Sequence, residues 1–143
     1  MTVLAYLDTS ALVKLYAPET GGDLVLDLLD RTDGVAASVL AYPEARGVFA
    51  RLLDRGQATV TEYRELLANF EEDWALALKV ELTAAVYRRA GDLMVPHPRL
   101  RALDAVHLAS ALEARQHYDL TFATFDHDLR AAAAAVLGER AVL

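Results

Sequence analysis

Residues 3–12 read V-L-A-Y-L-D-T-S-A-L, and this stretch decides the fold. Five mostly large apolar residues lead to Asp8, and two hydroxyl residues then precede the start of a helical pattern. An all-apolar strand with a polar end is typical of a parallel sheet that helices cover on both faces. In such sheets ligands bind outside the carboxyl ends of the strands, so we expect Asp8 at a functional edge.

Asp8 also has a simpler interpretation. Its side chain would cap the helix that begins near Ala11, and Thr9 and Ser10 would be turn residues. Three further acids, far apart in the sequence, favour the functional interpretation, because a parallel sheet would bring them to the same edge.

The composition fits one domain over residues 1–143, and the 55% of hydrophobic residues is enough for a core. The chain has no cysteine, which excludes disulfides and thiolate metal sites and fits a reducing compartment. No run approaches the ~18 apolar residues of a membrane span, and the first residues lack the features of a signal peptide. We therefore expect a cytoplasmic protein that does not contact a membrane.

The charge balance is acidic, with 14 basic and 21 acidic side chains and a net charge of −7. This argues against binding nucleic acid through bulk positive charge. It does not exclude a nuclease, because acids clustered around divalent cations form a site that is locally positive when it is loaded.

Apolar periodicity predicts strands that alternate with helices, which indicates an α/β fold with a central, mostly parallel sheet of four to five strands. Asp8 and Asp126 end the two clearest strands and should face one edge. The predicted strands are 3–7, 34–38 and 119–125, with weaker candidates at 80–82 and 140–143. The predicted helices are 11–16, 23–31, 61–78, 83–93, 100–116 and 127–137, and one more follows Ser38 and ends at Arg55.

Local signals set several of these boundaries. Pro18 stops the first helix, Ser38 caps the helix after the second strand, and Gly56 terminates that helix. Pro43 either begins that helix or bends it. Thr61 is a plausible start for the longest helix, without a strict capping box.

Four segments, in order along nearly the whole chain, resemble the acidic motifs of PIN-domain nucleases. They are Y-L-D-T-S-A-L-V-K-L-Y (6–16), Y-P-E-A-R (42–46), L-D-A-V-H-L-A-S-A-L (103–112) and F-A-T-F-D-H-D-L (122–129). Each motif alone is weak, but the series in a chain of this length is fairly specific. The nearest likeness is to the VapC-type toxins of type II toxin–antitoxin pairs.

The resemblance implies a three-layer α/β/α PIN-like fold and cleavage of RNA. It also implies a small cognate antitoxin as partner and a homodimer. The acidic quartet around one or two Mg²⁺ or Mn²⁺ ions would be Asp8, Glu44, Asp104 and Asp126. Ser10 and Thr124 match hydroxyl positions beside the acids, and Asp128 adds a fifth acid nearby.

The residue types suit this chemistry. Phosphodiester hydrolysis needs an activated water and stabilisation of negative charge on the phosphate oxygens, and hard divalent cations supply both. Mg²⁺ prefers carboxylates and retained waters to imidazole or thiolate, so an all-acid cluster selects this class of ion.

Each acid has an alternative role. Glu44 could be an exposed helix glutamate, and Asp126 could cap the last helix. An unpaired buried carboxylate at position 104 would be costly, so a pairing of Asp104 with Arg99 or Arg101 is the alternative to a metal. Asp128 is expected to be more of a surface acid than Asp126.

The basic side chains near the motifs are less specific. Arg46, Arg99 and Arg101 are candidates for phosphate contacts, and a solvated face is their alternative. His107 shares a helix face with Asp104 and could touch the site, but we favour a satisfied packing histidine.

Two other functions fit part of the pattern. One is a catalytically silent scaffold with the same fold, although a binding module has no reason to cluster repelling acids. The other is an aspartyl phosphatase or a phosphoacceptor domain, which would need acids where Thr9 and Ser10 stand.

Overall fold

The centre of the fold is a four-stranded parallel sheet. The computed structural model describes residues 2–17 and 20–143. Its strands are β1 (Val3–Leu7), β2 (Gly34–Ser38), β3 (Leu78–Val80) and β4 (Asp119–Ala123), in the order β3-β2-β1-β4. All three pairings are parallel, so the carboxyl ends of the strands share one edge. The predicted mostly parallel sheet is confirmed.

Helices cover both faces of this sheet. Alternate residues of β1 enter two separate cores, with Tyr6 on one side and Leu7 on the other. The Tyr6 side packs against the last three helices of the chain, and the Leu7 side packs against the first four. This is the predicted three-layer α/β/α arrangement. The helices are α1 (Thr9–Leu12), α2 (Gly22–Asp30), α3 (Ala41–Asp54), α4 (Val60–Leu76), α5 (Ala84–Leu93), α6 (Ala102–Ala114) and α7 (His127–Leu137).

Three predicted strands differ from the observed ones. The strand predicted at 119–125 ends at Ala123. The third strand lies at Leu78–Val80, not at 80–82, because α4 ends at Leu76 and the next residues pair with Ala36–Ser38. The predicted strand at 140–143 is reduced to one parallel bridge between Val142 and Phe122. A 3₁₀ turn at Glu139–Ala141 uses the backbone that a longer strand would need.

Helix boundaries correct three local predictions. Pro43 is the third residue of α3, where a missing N–H costs no helical hydrogen bond, so it neither begins nor interrupts the helix. Ser38 does not cap α3, and its Oγ instead accepts a hydrogen bond from the Leu40 N–H at 3.2 Å. Thr59, not Thr61, caps α4, in a full capping box with Glu62.

Two termination signals have different outcomes. Gly56 has a φ of +69° just after α3, which confirms it as the residue that ends the helix. After α1 the chain continues as a 3₁₀ turn to Leu15. The predicted stop at Pro18 lies outside the described residues. Of the helices in the described ranges, none is both long and apolar enough to cross a bilayer.

Candidate functional site

The carboxyl ends of β1 and β4 form the edge where the first and last acidic motifs meet. The register pairs Leu7 with Ala123, so the segments that leave the two strands are neighbours. Asp8 follows β1 directly, and Thr124 follows β4 directly. Their side chains are joined by a hydrogen bond of 2.5 Å from Thr124 Oγ1 to Asp8 Oδ2.

Asp8 is the most buried of the acids at this edge, with 3% of its surface exposed. Its Oδ1 accepts hydrogen bonds from Ser10 Oγ at 2.7 Å and from the Ala11 N–H at 2.9 Å. The second bond caps α1, so the capping interpretation of Asp8 is confirmed. Asp8 also lies at the predicted functional edge, so the two interpretations are compatible. Burial raises the pKa of Asp8, although the hydrogen bonds from Thr124, Ser10 and Ala11 oppose this by stabilising the carboxylate.

Glu44 lies in the first turn of α3 and is bound by residues from two other helices. Its Oε1 accepts a hydrogen bond of 2.8 Å from Thr9 Oγ1 and one of 2.7 Å from His107 Nε2. Partial burial acts to raise the pKa of Glu44, but the interactions with His107 and Thr9 outweigh it and lower the pKa. Glu44 is therefore not an ordinary solvated helix glutamate.

Asp104 lies in the first turn of α6 and is half-buried. Burial raises its pKa, and the negative charges of Asp126 and Asp8 raise it further against the opposing effect of His107. The charges of Asp126 and Asp8 thus act on Asp104 across this edge. Among the described residues Asp104 forms no ion pair with Arg99 or Arg101, and Arg99 pairs with Asp128 instead, so the alternative pairing is wrong.

Asp126 and Asp128 reverse the expected order of exposure. Asp126 is exposed, and its Oδ1 caps α7 by accepting a hydrogen bond of 2.8 Å from the Leu129 N–H. The predicted alternative, that Asp126 caps the last helix, is thus confirmed. The cap uses only Oδ1, so Oδ2 of Asp126 is available for another ligand. Asp128 is only partly exposed and pairs with Arg99 at 3.8 Å, so the expectation that Asp128 is the more superficial acid was wrong.

Two polar residues at the edge have a larger role in the site than the sequence predicted. His107 is 2% exposed, but it is not a satisfied packing histidine, because Nε2 contacts Glu44 and the buried Nδ1 has no partner among the described residues. Thr9, expected to be a turn residue, donates to Glu44. The spacing of three between Asp104 and His107 was the available signal, since it places both on one helix face.

Arg46 is already engaged on the outer side of α3. Its Nη1 donates to the Tyr42 hydroxyl at 2.8 Å and lies 3.4 Å from Glu71 Oε1 on α4. Arg101 is exposed at the start of α6, next to the acidic edge in sequence. A phosphate contact by Arg46, Arg99 or Arg101 stays a prediction.

The oxygen-rich edge fits a hydrated hard cation. Within residues 2–17 and 20–143, no three His, Asp or Glu side chains stand close enough to enclose an ion directly. Carboxylate and hydroxyl oxygens are nevertheless the donors that Mg²⁺ and Mn²⁺ accept, and Mg²⁺ usually keeps several waters between itself and the protein. The mutual repulsion felt by Asp104 is what a bound cation would relieve.

Comparison with known proteins gives a consistent result. The family model described as the PIN domain matches residues 5–135. Ribonuclease VapC45 of Mycobacterium tuberculosis is 45% identical over 109 residues, which cover 76% of this chain and 75% of that protein. Ribonuclease VapC35 of the same species is 36% identical over 136 residues, 93% of this chain and 92% of that protein.

Solved structures agree on the fold. A toxin–antitoxin complex from Klebsiella pneumoniae matches with a TM-score of 0.63 and 20% identity, over 97% of this chain and 95% of that one. FitAcB from Neisseria gonorrhoeae matches with a TM-score of 0.64 and 24% identity, over 92% of each chain. At these identities the likeness supports the fold alone.

Proposed function

This chain belongs to the PIN-domain family and to its VapC-type ribonucleases, and we propose that it is a divalent-metal-dependent endoribonuclease. It would be the toxin of a type II toxin–antitoxin pair. One observation carries the proposal: the acids meet at one edge of the sheet. Thr124, two residues before Asp126, donates a 2.5 Å hydrogen bond to Asp8, and burial together with the charges of Asp126 and Asp8 raises the pKa of the half-buried Asp104. Such clustering costs stability in a protein without a ligand, and a cation offsets it.

In this proposal Asp8, Glu44, Asp104 and Asp126 hold Mg²⁺ or Mn²⁺. The cation, when bound, supplies a water of lowered pKa and neutralises charge on the phosphate oxygens. The protein holds two of these ligands in place through hydrogen bonds. Thr124 and Ser10 donate to Asp8, and Thr9 and His107 donate to Glu44 through one oxygen, which leaves Oε2 for a further ligand.

The partners follow from the same premise. The substrate is RNA, and the inhibitory partner is an antitoxin protein, as in the toxin–antitoxin complexes that share the fold. We also propose that the protein forms a homodimer, that it is located in the cytoplasm, and that residues 1–143 form a single domain. The competing function is a silent scaffold, which would have no use for the repelling acids.

The proposal is tested by metal binding and RNA cleavage measured on the same preparation. Mn²⁺ or Mg²⁺ should raise the melting temperature of the protein, because the ion binds only the folded site. The protein should cleave RNA only with the ion present. Asp104→Asn should remove both effects and stay folded, whereas binding of the ion without any RNA cleavage would favour the scaffold.

A further inference from the structure

Phe125 is an exposed aromatic residue at the acidic edge. It stands between Thr124, which donates to Asp8, and Asp126, and 40% of its surface is exposed. Leaving a large apolar ring in water costs free energy. The exposed part of the ring is apolar surface that a flat ligand could cover.

The backbone of Phe125 is tied to the site. Its N–H donates a hydrogen bond of 2.9 Å to Ser10 Oγ, and Ser10 Oγ donates to Asp8 Oδ1 at 2.7 Å. Phe125 is thus separated from the buried acid by one hydroxyl group. The backbone bond keeps Phe125 at the same edge of the sheet as Asp8, within a few residues of the acids.

The ring of Phe125 is held by contacts of its own. Gly21, at the N-terminus of α2, has a φ of +100°, and a Cβ there would lie 2.6 Å from Phe125 Cε1. Glycine at this position therefore permits both the left-handed backbone and the close approach of the ring. A ring fixed before binding loses little further entropy when a flat ligand stacks on it.

A cation accompanies the ring. Lys14 Nζ lies 4.5 Å from the centroid of Phe125, within the range of a cation–π interaction. The ammonium group thus packs on one face of the ring. A ring with a neighbouring cation is the combination that proteins use to hold single-stranded nucleic acid, with the base on the ring and the phosphate near the cation.

We propose that Phe125 is a stacking platform for one unpaired RNA base beside the scissile phosphate, and that Lys14 assists it. This inference rests on the proposed ribonuclease function. A chain of net charge −7 gains little RNA affinity from bulk charge, so stacking supplies affinity that does not depend on charge. The base must be unpaired, because the faces of a base in a helix are covered by its neighbours.

The test compares Phe125→Ala, Phe125→Leu and Phe125→Tyr with the wild-type protein on a single-stranded oligoribonucleotide. The Ala and Leu variants should raise KM about tenfold or more and leave kcat within about threefold, because the lost contact binds the substrate before reaction. The Tyr variant should keep KM within about twofold of wild type. Tyr87→Ala, which removes an exposed aromatic on α5 with Arg88 beside it, should change neither constant.

A second measurement reports stacking without cleavage. RNA carrying 2-aminopurine should lose fluorescence when Asp104→Asn protein binds it, and should keep its fluorescence when the protein also carries Phe125→Leu. The Leu variant preserves most of the apolar volume, so it remains informative if the Ala variant fails to fold.

The outcomes separate the two proposals. If wild-type protein cleaves no RNA with either ion, the proposed function is wrong. If wild-type protein cleaves RNA but Phe125→Leu matches it in KM and in fluorescence quenching, only the stacking inference is wrong. Loss of antitoxin affinity with KM for RNA unchanged would instead assign the ring to the protein partner and overturn the inference.

Discussion

Nε2 of His107 lies 2.7 Å from Oε1 of Glu44, although the two residues are 63 positions apart in the chain. The bond joins α6 to α3 across the carboxyl edge of the sheet, and Thr9 from α1 donates to the same oxygen. Three helices therefore fix one carboxylate. His107 approaches from the core, so it positions Glu44 without needing to meet the substrate.

His107→Ala should weaken both the fold and the site. Glu44 would lose its closest donor in a partly buried place, at a cost of about 1–3 kcal/mol in the free energy of unfolding. RNA cleavage should need a higher Mn²⁺ concentration, because Glu44 would no longer be held. Denaturant unfolding and a Mn²⁺ titration of cleavage measure the two effects. His117→Ala, which removes an exposed histidine from the turn after α6, is the matched control, and equal behaviour of the two variants would refute the role.

Asp104→Asn should stabilise the metal-free protein near neutral pH. Because the folded-state pKa of Asp104 is raised above its unfolded value, its contribution to stability is full below the unfolded pKa and falls as pH rises through the folded pKa. At pH 7 the folded protein therefore bears the cost of an ionised Asp104, and asparagine removes this cost. The melting temperature of the variant should exceed that of wild type at pH 7, and the difference should vanish below about pH 4. Melts in chelator over this pH range test it, and an advantage that grew towards acid would contradict it.

Glu44 should show the opposite pH dependence. Its folded-state pKa is lowered, so the stability it contributes is present above the unfolded pKa and is lost as pH falls through the folded pKa. In chelator, Glu44→Gln should therefore destabilise the protein at pH 7, and the difference from wild type should shrink in acid. Parallel melts of the Glu44→Gln and Asp104→Asn variants should thus differ in sign at pH 7. Changes of the same sign would mean that the surroundings of the two acids do not shift their pKa values in opposite directions.

Thr124→Val should destabilise the protein through Asp8. The Thr124 hydroxyl donates to a carboxylate that is almost fully buried, and valine keeps the shape but removes the donor. We expect a loss of about 1–3 kcal/mol in the free energy of unfolding and weaker Mn²⁺ stabilisation. Thr124→Ser restores a hydroxyl and should recover most of both quantities. A serine variant as impaired as the valine variant would show that packing matters more than the hydrogen bond.

Much of the fold follows from local pattern. The apolar run of β1 ends at Asp8, and the alternation of strands and helices was enough to predict a parallel sheet whose carboxyl ends meet. Local pattern failed where a tertiary pairing set the boundary. Leu78–Val80 became β3 because it pairs with β2, and the C-terminal residues formed a 3₁₀ turn with a single bridge to β4.

The acids of the site could be predicted from the sequence, but the residues that donate hydrogen bonds to Glu44 could not. Asp8 and Asp126 follow strands, so topology brings them together. Glu44 and Asp104 lie on helices, where the strand topology places them less directly, and the motif resemblance identified them as metal ligands. The contacts of His107 and Thr9 with Glu44 join segments that are distant in sequence, and no periodicity within one segment can reveal such a contact.

The central claim is that the acids at this edge jointly hold a divalent cation. Its most direct test is an anomalous difference map from a crystal of the protein grown with Mn²⁺. We expect a peak at the carboxyl edge of the sheet, bound directly or through water by the four acids Asp8, Glu44, Asp104 and Asp126. Crystals of Asp104→Asn should show no such peak. A fully occupied Mn²⁺ elsewhere, or an edge without a peak at saturating Mn²⁺, would contradict the claim.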